Sequence, residues 1–235
     1  MNHYDLVVIG GGLGGCSLLS SLERLGYQGR VALVEAGRGP GGRTASRRSR
    51  TDPQWCINHG APAIRLSESL PAAVDALLDP LRREAILQRV VNDEVAIDAN
   101  GQIVAVDPTF SSHGHWWTGS PVMASVCEAL LARSSNDLAS HFGTRVRWLK
   151  RTPDHWMLSD ESKGWQLQAK RLVLSGNLLA HPRSLAMLKW DDVPLRTAVP
   201  EGDDPELDAV LTTLETSAST VRWNLMLDLV DVPLE

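Results

Sequence analysis

Leu6-Val7-Val8-Ile9 runs without interruption into Gly10-Gly11-Gly12-Leu13-Gly14-Gly15, and this junction restricts the possible fold more than any other stretch. An unbroken aliphatic, β-branched run predicts a strand covered on both faces in a parallel sheet, because a half-exposed strand would alternate apolar with polar residues. Beyond the glycines the apolar period changes. Leu18, Leu22 and Leu25 recur at i, i+4 and i+7, which predicts a helix that buries these three on one face and ends with Gly26 at its C′ position. The order is strand, glycine turn, helix.

Gly10, Gly12 and Gly15 fit G-x-G-x-x-G, with Leu13 and Gly14 between the last two. The three glycines serve a tight turn, close approach of a pyrophosphate to the backbone, and close packing of helix on strand. The helix N-terminus adds free N–H groups and the positive end of a dipole. Arg30-Val31-Ala32-Leu33-Val34-Glu35 predicts a second buried strand, and Glu35 stands twenty positions after Gly15, near the spacing at which an acid binds a ribose hydroxyl. A carboxylate there disfavours a ribose 2′-phosphate, since two anions repel. Together these residues point to a dinucleotide site.

After Glu35 and Ala36 come Gly41-Gly42-Arg43 and later Gly60-Ala61. Glycines beside an arginine let the backbone approach a ligand while the guanidinium holds an anion. The glycine turn, the acid, the Gly-Gly-Arg triplet and the Gly-Ala pair, in this order, resemble the FAD-binding signature of the amine-oxidase-like flavoproteins, particularly renalase and its bacterial relatives. The resemblance implies FAD as cofactor, held by Gly10, Gly12, Leu13, Gly14, Gly15, Glu35, Ala36, Gly42, Arg43, Gly60 and Ala61. It also implies an adenine contact through the backbone of Val146, in a strand over His141 to Trp148. The chain departs from the pattern at Pro62-Ala63, where relatives carry a glutamine and an aromatic residue.

The implied fold is α/β, a Rossmann-like FAD-binding domain of the glutathione-reductase type with an inserted α+β substrate domain that is incomplete. Residues 1–66 and 121–180 would form the cofactor domain, and residues 67–120 and 181–235 the insert. The implied reaction is hydride transfer from an amine or a reduced nicotinamide-type substrate to flavin N5, with oxygen as acceptor. No side chain stands out as a catalytic base. A non-catalytic flavin- or dinucleotide-binding protein, or a fragment needing a partner chain, is the alternative. An NAD-dependent reductase is a third reading, disfavoured by the Gly-Gly-Arg element.

Along the rest of the chain, Leu70, Val74, Leu77, Leu78, Leu81, Ile86, Leu87 and Val90 predict helix over 67–90, opened at Pro71 and interrupted at Pro80. Asn100-Gly101 predicts a hairpin with positive φ at both turn positions. Residues 121–133 predict a helix burying Val122, Met123, Val126 and Leu130. Trp156 to Leu158 and Trp165 to Leu167 predict a further hairpin, and Arg171 to Gly176 a buried strand closing on a turn. Residues 181–190 and 206–218 predict helices, the second with Leu207, Val210, Leu211 and Leu214 on its stripe. Alternation from Val221 to Leu229 predicts a half-buried strand whose edge another chain, a homodimer partner or a further region of the protein would cover.

His113-Gly114-His115-Trp116-Trp117 carries no acid or further histidine at ligand spacing, so no metal is expected and the tryptophans are read as packing or as a binding-site rim. The formal charge of −5 disfavours nucleic acid as a partner, and no apolar run reaches the length of a membrane span. Three cysteines without paired spacing suit a reducing compartment, and the expected location is cytoplasmic. Cys16 and Cys127 are read as small core residues.

Overall fold

The structure, a computed structural model, describes residues 2–52, 55–91, 96–105, 114–135 and 137–217. Its elements in chain order begin with β1 (Asn2–Ile9), α1 (Leu13–Arg24), β2 (Val31–Val34), β3 (Arg47–Arg48), β4 (Cys56–Ile57) and β5 (Ile64–Leu66). Next come α2 (Ala72–Arg83), β6 (Leu87–Arg89), β7 (Ala96–Ile97), β8 (Ile103–Val104), β9 (His115–Gly119) and α3 (Ala124–Ala132). The chain then returns through β10 (Ala139–His141), β11 (Val146–Arg151), β12 (Trp156–Asp160) and β13 (Gln166–Leu174) to α4 (Arg183–Leu188), α5 (Pro194–Ala198) and α6 (Pro205–Glu215).

The main sheet has the order β10-β2-β1-β13-β12-β11. Strands β10, β2, β1 and β13 are parallel, and β13, β12 and β11 form an antiparallel meander. Burial on both faces explains the unbroken apolar runs. On one face Val7, Ala32 and Val34 pack with Val146, Leu149, Leu158 and Leu167 of the meander. On the other, Leu6, Val8, Val31 and Leu33 pack under Leu19 of α1. Val7, Val8, Leu33 and Val34 are fully buried, and each such side chain contributes about 2 kcal/mol of transfer free energy. A third cluster joins α1, α2 and α3 through Cys16, Leu81, Met123, Val126, Cys127 and Leu130. Beside it lies a small antiparallel sheet of order β5-β9-β6.

Helix α1 ends as expected, with Gly26 at φ +71°, its N–H on Glu23 O and the Tyr27 N–H on Leu22 O, the paired bonds of a Schellman motif. Its buried face is different. Gly15, Cys16, Leu19 and Ser20 are covered, Leu18 and Leu22 are half-buried, and Leu25 is 73% exposed, because α1 must meet α3 as well as the sheet and turns toward both.

Helix α2 is shorter than the apolar stripe suggests. It starts after Pro71, continues through Pro80, and ends at Arg83 in another Schellman motif with Ala85 at φ 55°. Leu78 and Leu81 on either side of Pro80 are buried in the cluster shared with α3, and that packing outweighs the hydrogen bond the proline removes. Leu87 therefore belongs to a strand, and Val74 is exposed.

The Asn100-Gly101 hairpin forms with positive φ at Gly101 alone among these two residues. Asp98 O accepts from Gly101 N–H, and the Asp98 carboxylate accepts from the N–H groups of Asn100 and Gln102, so a type I turn replaces the expected type I′.

The segment read as one strand from His141 to Trp148 divides into β10 and β11 around Gly143 at φ +68°. In contrast, the hairpin strand from Trp165 and the strand from Arg171 are one element, β13, half-buried at Leu172, Val173 and Leu174. Helix α5 was not evident in the sequence. Pro205 takes the first position of α6, capped by Asp204 Oδ1 on Leu207 N–H; Leu211 is buried but Val210 is exposed. The strand expected from Val221 and His113 of the histidine-tryptophan run lie outside the described residues.

Candidate dinucleotide-binding site

Strand β1 has β2 on one side and β13 on the other, so its carboxyl end is the point from which the chain connections diverge and where open α/β sheets place a ligand. The glycine turn occupies this point. Gly10, at φ +110°, leaves β1 with its N–H on Val34 O at 2.9 Å. Gly12 is the N-cap of α1 in extended conformation and supplies no side-chain cap, leaving the first turn of the helix open to an anion. Gly15 has no room for a side chain, since a Cβ there would lie 2.0 Å from Gly10 O. Leu13 is half-buried against the helical cluster, whereas Gly14 is exposed and a Cβ on it would meet nothing within 4 Å.

Glu35 follows β2 immediately, and β10 fixes its backbone, the Glu35 N–H donating to His141 O and its carbonyl accepting from Thr144 N–H. The carboxylate bridges two loops. Oε2 accepts from Gly11 N–H at 2.6 Å and Oε1 from Gly37 N–H at 2.5 Å. Ala36 is exposed beside it. Gly143 N–H donates to Gly37 O at 2.7 Å, so the loop leading to Val146 is attached to the acid's own loop. Val146 itself is buried.

The Gly-Gly-Arg segment docks on the glycine turn. Gly41 N–H donates to Gly11 O at 2.8 Å, Gly41 forms an isolated bridge with Gly12, and a Cβ on Gly42 would come 3.1 Å from Gly12 Cα. Gly41 and Gly42 have φ of 138° and 54°, and a single 3₁₀ turn from Gly42 to Thr44 leaves Arg43 exposed. The Gly60-Ala61 pair then closes on that turn. Ala61 N–H donates to Arg43 O at 2.8 Å, and a Cβ on Gly60 would stand 2.2 Å from the same oxygen. Asn58 Oδ1 accepts from Met123 N–H and Ser46 Oγ from Ala124 N–H, fastening this segment to the start of α3 and the helical layer.

The structure thus brings together Gly10, Gly12, Leu13, Gly14, Gly15, Glu35, Ala36, Gly42, Arg43, Gly60 and Ala61 at one end of the sheet, with the loop before Val146 tied to Glu35. Sequence reasoning missed Gly11 and Gly37 as donors to the acid, Gly41 as the docking residue, and Ser175. The Ser175 hydroxyl, just after β13, donates toward Gly10 O at 2.8 Å and holds the turn from its other side. The signal for Ser175 was the strand-Ser-Gly ending of β13.

Other features lie away from this centre. Trp117 packs into the helical cluster under the Arg82 guanidinium, and Trp116 lies beside Arg65 on the other face of the small sheet. Burial holds the His141 imidazole below its usual pKa. A depression of about 230 Å³ lined by Leu22, Tyr27, Arg30 and Asp137 sits at the amino end of the strands, opposite the glycine turn. Among the described residues no His, Cys, Asp and Glu group could hold a metal, and no helix is long and apolar enough to cross a membrane.

Fold and turn define a Rossmann-like dinucleotide-binding α/β architecture. The family model of an NAD(P)-binding Rossmann-like domain matches residues 8–80, from β1 through the Gly-Gly-Arg and Gly-Ala elements into α2. No curated protein matches in sequence. Wild-type putrescine oxidase bound to putrescine superposes on 79% of the chain with a TM-score of 0.50 at 12% identity, over 60% of the oxidase. A putrescine oxidase variant from a redesign of cofactor binding gives 0.51 at 12% identity, over 79% of this chain and 59% of that one. The p-nitrophenol 4-monooxygenase PnpA from Pseudomonas putida DLL-E4 gives 0.46 at 20% identity, over 74% and 41%. With the putrescine oxidases the likeness is one of fold, and the chain spans less than two thirds of the length of each of these proteins.

Proposed function

We propose that this chain binds FAD and forms the cofactor-binding part of a flavin-dependent oxidoreductase of the amine-oxidase-like group, of the renalase-like kind. The carrying observation is convergence. Four elements separated in sequence meet closely: Gly41 N–H bonds Gly11 O, a Cβ on Gly60 would strike Arg43 O, and the Glu35 carboxylate accepts from both Gly11 and Gly37, while within the glycine turn a Cβ on Gly15 would strike Gly10 O. The N-terminal turn of α1 would take the pyrophosphate, Glu35 the adenosine ribose, and the Val146 segment the adenine, while Arg43 would neutralise phosphate charge from its exposed position. FAD, when bound, supplies the redox step by accepting a hydride at N5 and returning electrons to oxygen.

The protein's share is binding and orientation, and the substrate is a small molecule, an amine or a reduced nicotinamide. Cytoplasmic location and a homodimer belong to the same proposal. NAD(P) is the second reading, favoured by the description of the matched domain. The test is the visible spectrum of the purified chain and release of its chromophore. FAD released in near-stoichiometric amount supports the proposal. A colourless chain that binds NAD but refuses added FAD refutes it, and one that binds FAD but is never bleached by amines or reduced nicotinamides reduces it to a non-catalytic binding module.

A further inference from the structure

The peptide unit between Gly10 and Gly11 lies at the bend of the glycine turn, and no side chain of its own steadies it. Glycine stands on both sides, with Gly10 at φ +110°, so this unit rotates unless groups outside the turn hold it. Two groups from distant parts of the chain do so, one at each of its polar ends. The Ser175 hydroxyl, just beyond β13, donates to Gly10 O at 2.8 Å, and Gly11 N–H donates to Glu35 Oε2 at 2.6 Å. The hydroxyl has one proton to give. Ile9 O, 3.2 Å from Ser175 Oγ, already accepts from Ser175 N–H at 2.9 Å, which leaves the hydroxyl proton to the shorter bond on Gly10 O. A Cβ on Gly10 would stand 2.5 Å from Ser175 Oγ, so the hydroxyl fills the space that glycine leaves.

We propose that Ser175 is a positioning residue for ribose recognition: through the Gly10–Gly11 peptide it aims the Glu35 carboxylate, and so sets the preference of the site for a ribonucleotide over a 2′-deoxyribonucleotide. This rests on the dinucleotide reading of the site, whichever dinucleotide binds.

Ser175 O–H, Gly10 C=O, Gly11 N–H and the Glu35 carboxylate form one line of aligned dipoles. A donor on the carbonyl polarises the peptide and strengthens its N–H as a donor at the other end, and the charge on the acceptor shortens that second bond. Each carboxylate oxygen has two lone pairs. Gly11 N–H takes one on Oε2 and Gly37 N–H takes one on Oε1. With both oxygens held, the carboxylate plane is fixed between two loops, and the lone pairs that remain have a set direction toward a ribose 2′-hydroxyl. Ser175 is exposed, and its backbone N–H carries the bond to Ile9 O, so loss of the hydroxyl alone leaves the sheet pairing in place. The Gly10–Gly11 peptide is then free to turn its N–H away from Glu35. The carboxylate keeps only Gly37, two residues along its own loop, and moves with that loop.

The test compares ADP with 2′-deoxy-ADP by calorimetry on the full chain in native, Ser175→Ala and Ser175→Thr forms. ADP carries the adenosine and pyrophosphate groups without the flavin. Deuterium exchange of the Gly11 amide, followed by NMR without nucleotide, reads the peptide directly. The native chain is expected to prefer ADP at least about tenfold, as for a hydrogen bond to a charged group. In Ser175→Ala the ADP Kd is expected to rise about fivefold, the loss of roughly one net hydrogen bond, with the 2′-deoxy-ADP Kd within about twofold of its native value. The Gly11 amide should exchange faster in that variant. Ser175→Thr, which keeps the hydroxyl, is expected to restore the preference and the slow exchange. A purely structural role would weaken both nucleotides alike, so a Ser175→Ala preference equal to the native one overturns the proposal, as does a native chain that binds the two equally. A native chain that binds neither sinks the nucleotide reading and the sugar preference with it. Gly11 exchange then still judges the link, and an unchanged rate in Ser175→Ala refutes the hold of Ser175 on the peptide.

Discussion

Replacing Gly15 with alanine tests the close approach on which the cradle depends. An alanine Cβ would lie 2.0 Å from Gly10 O and 3.0 Å from Ser175 Oγ. Backbone, not a flexible side chain, stands in the way, so α1 must move from β1 by more than about 1 Å, an overpacking cost of about 2 kcal/mol. In a domain of this size that lowers Tm by about 4–8 °C. Because the same movement misaligns the helix N-terminus with the turn, ADP affinity should fall at least about tenfold, equivalent to about 1.4 kcal/mol.

The control is its neighbour. Gly14 is exposed in the first turn of α1 with nothing within 4 Å of its Cβ position, so Gly14→Ala should gain about 1 kcal/mol from helix propensity and raise Tm by a few degrees. Thermal melts by circular dichroism and ADP titration by calorimetry measure both variants. If Gly15→Ala melts with Gly14→Ala and keeps its ADP affinity, steric necessity is not what places glycine at position 15.

Glu35→Gln leaves one oxygen to satisfy the Gly11 and Gly37 N–H groups and turns an amide NH₂ toward the other, at about 1–3 kcal/mol; calorimetry should show ADP binding at least about fivefold weaker. His141 has its pKa lowered by burial in the folded state, so the unfolded chain takes up a proton first as pH falls. Stability is therefore full above about pH 6.5 and is lost below it, and urea midpoints at about pH 7.5 and pH 5.5 should differ less in His141→Gln than in the native chain. Asp204→Ala removes the N-cap of α6 and its pairing with Arg151, and should cost about 1 kcal/mol in urea unfolding with the m-value unchanged.

Local chemistry made β1, the glycine turn and β2 legible. Only a doubly covered strand tolerates Leu6 to Ile9, and only glycine tolerates the backbone of Gly10. The same local rules failed where distant contacts decide. Leu87 continued the helical stripe of α2, yet Ala85 adopts positive φ and redirects the chain so that Leu87 pairs with Gly119 of β9. Leu25 kept the period of α1 and is exposed, because the buried face is chosen by α3, about a hundred residues further along the chain. Pro80 reads locally as a break, but Leu78 and Leu81 are held in the helical cluster and carry α2 through it.

The site divides in the same way. Glu35 could be placed from its spacing to Gly15, since a parallel strand-helix-strand unit fixes that distance through the chain itself. What Gly60 does could not be read from its neighbours, because its constraint is the carbonyl of Arg43, 2.2 Å from the place a Cβ would take. Cys16 and Cys127 illustrate the limit more sharply. Composition marks both as small core residues, and burial bears that out. Only the fold brings Cys16 to Gly11 O and Cys127 to the Thr44 hydroxyl. Packing alone could be satisfied by alanine or valine at either position. The Cys16 thiol on Gly11 O and the Thr44 hydroxyl on Gly41 O tie buried side chains to the backbone of the two glycine turns, and an alanine or valine in their place would leave each of those carbonyls without that donor.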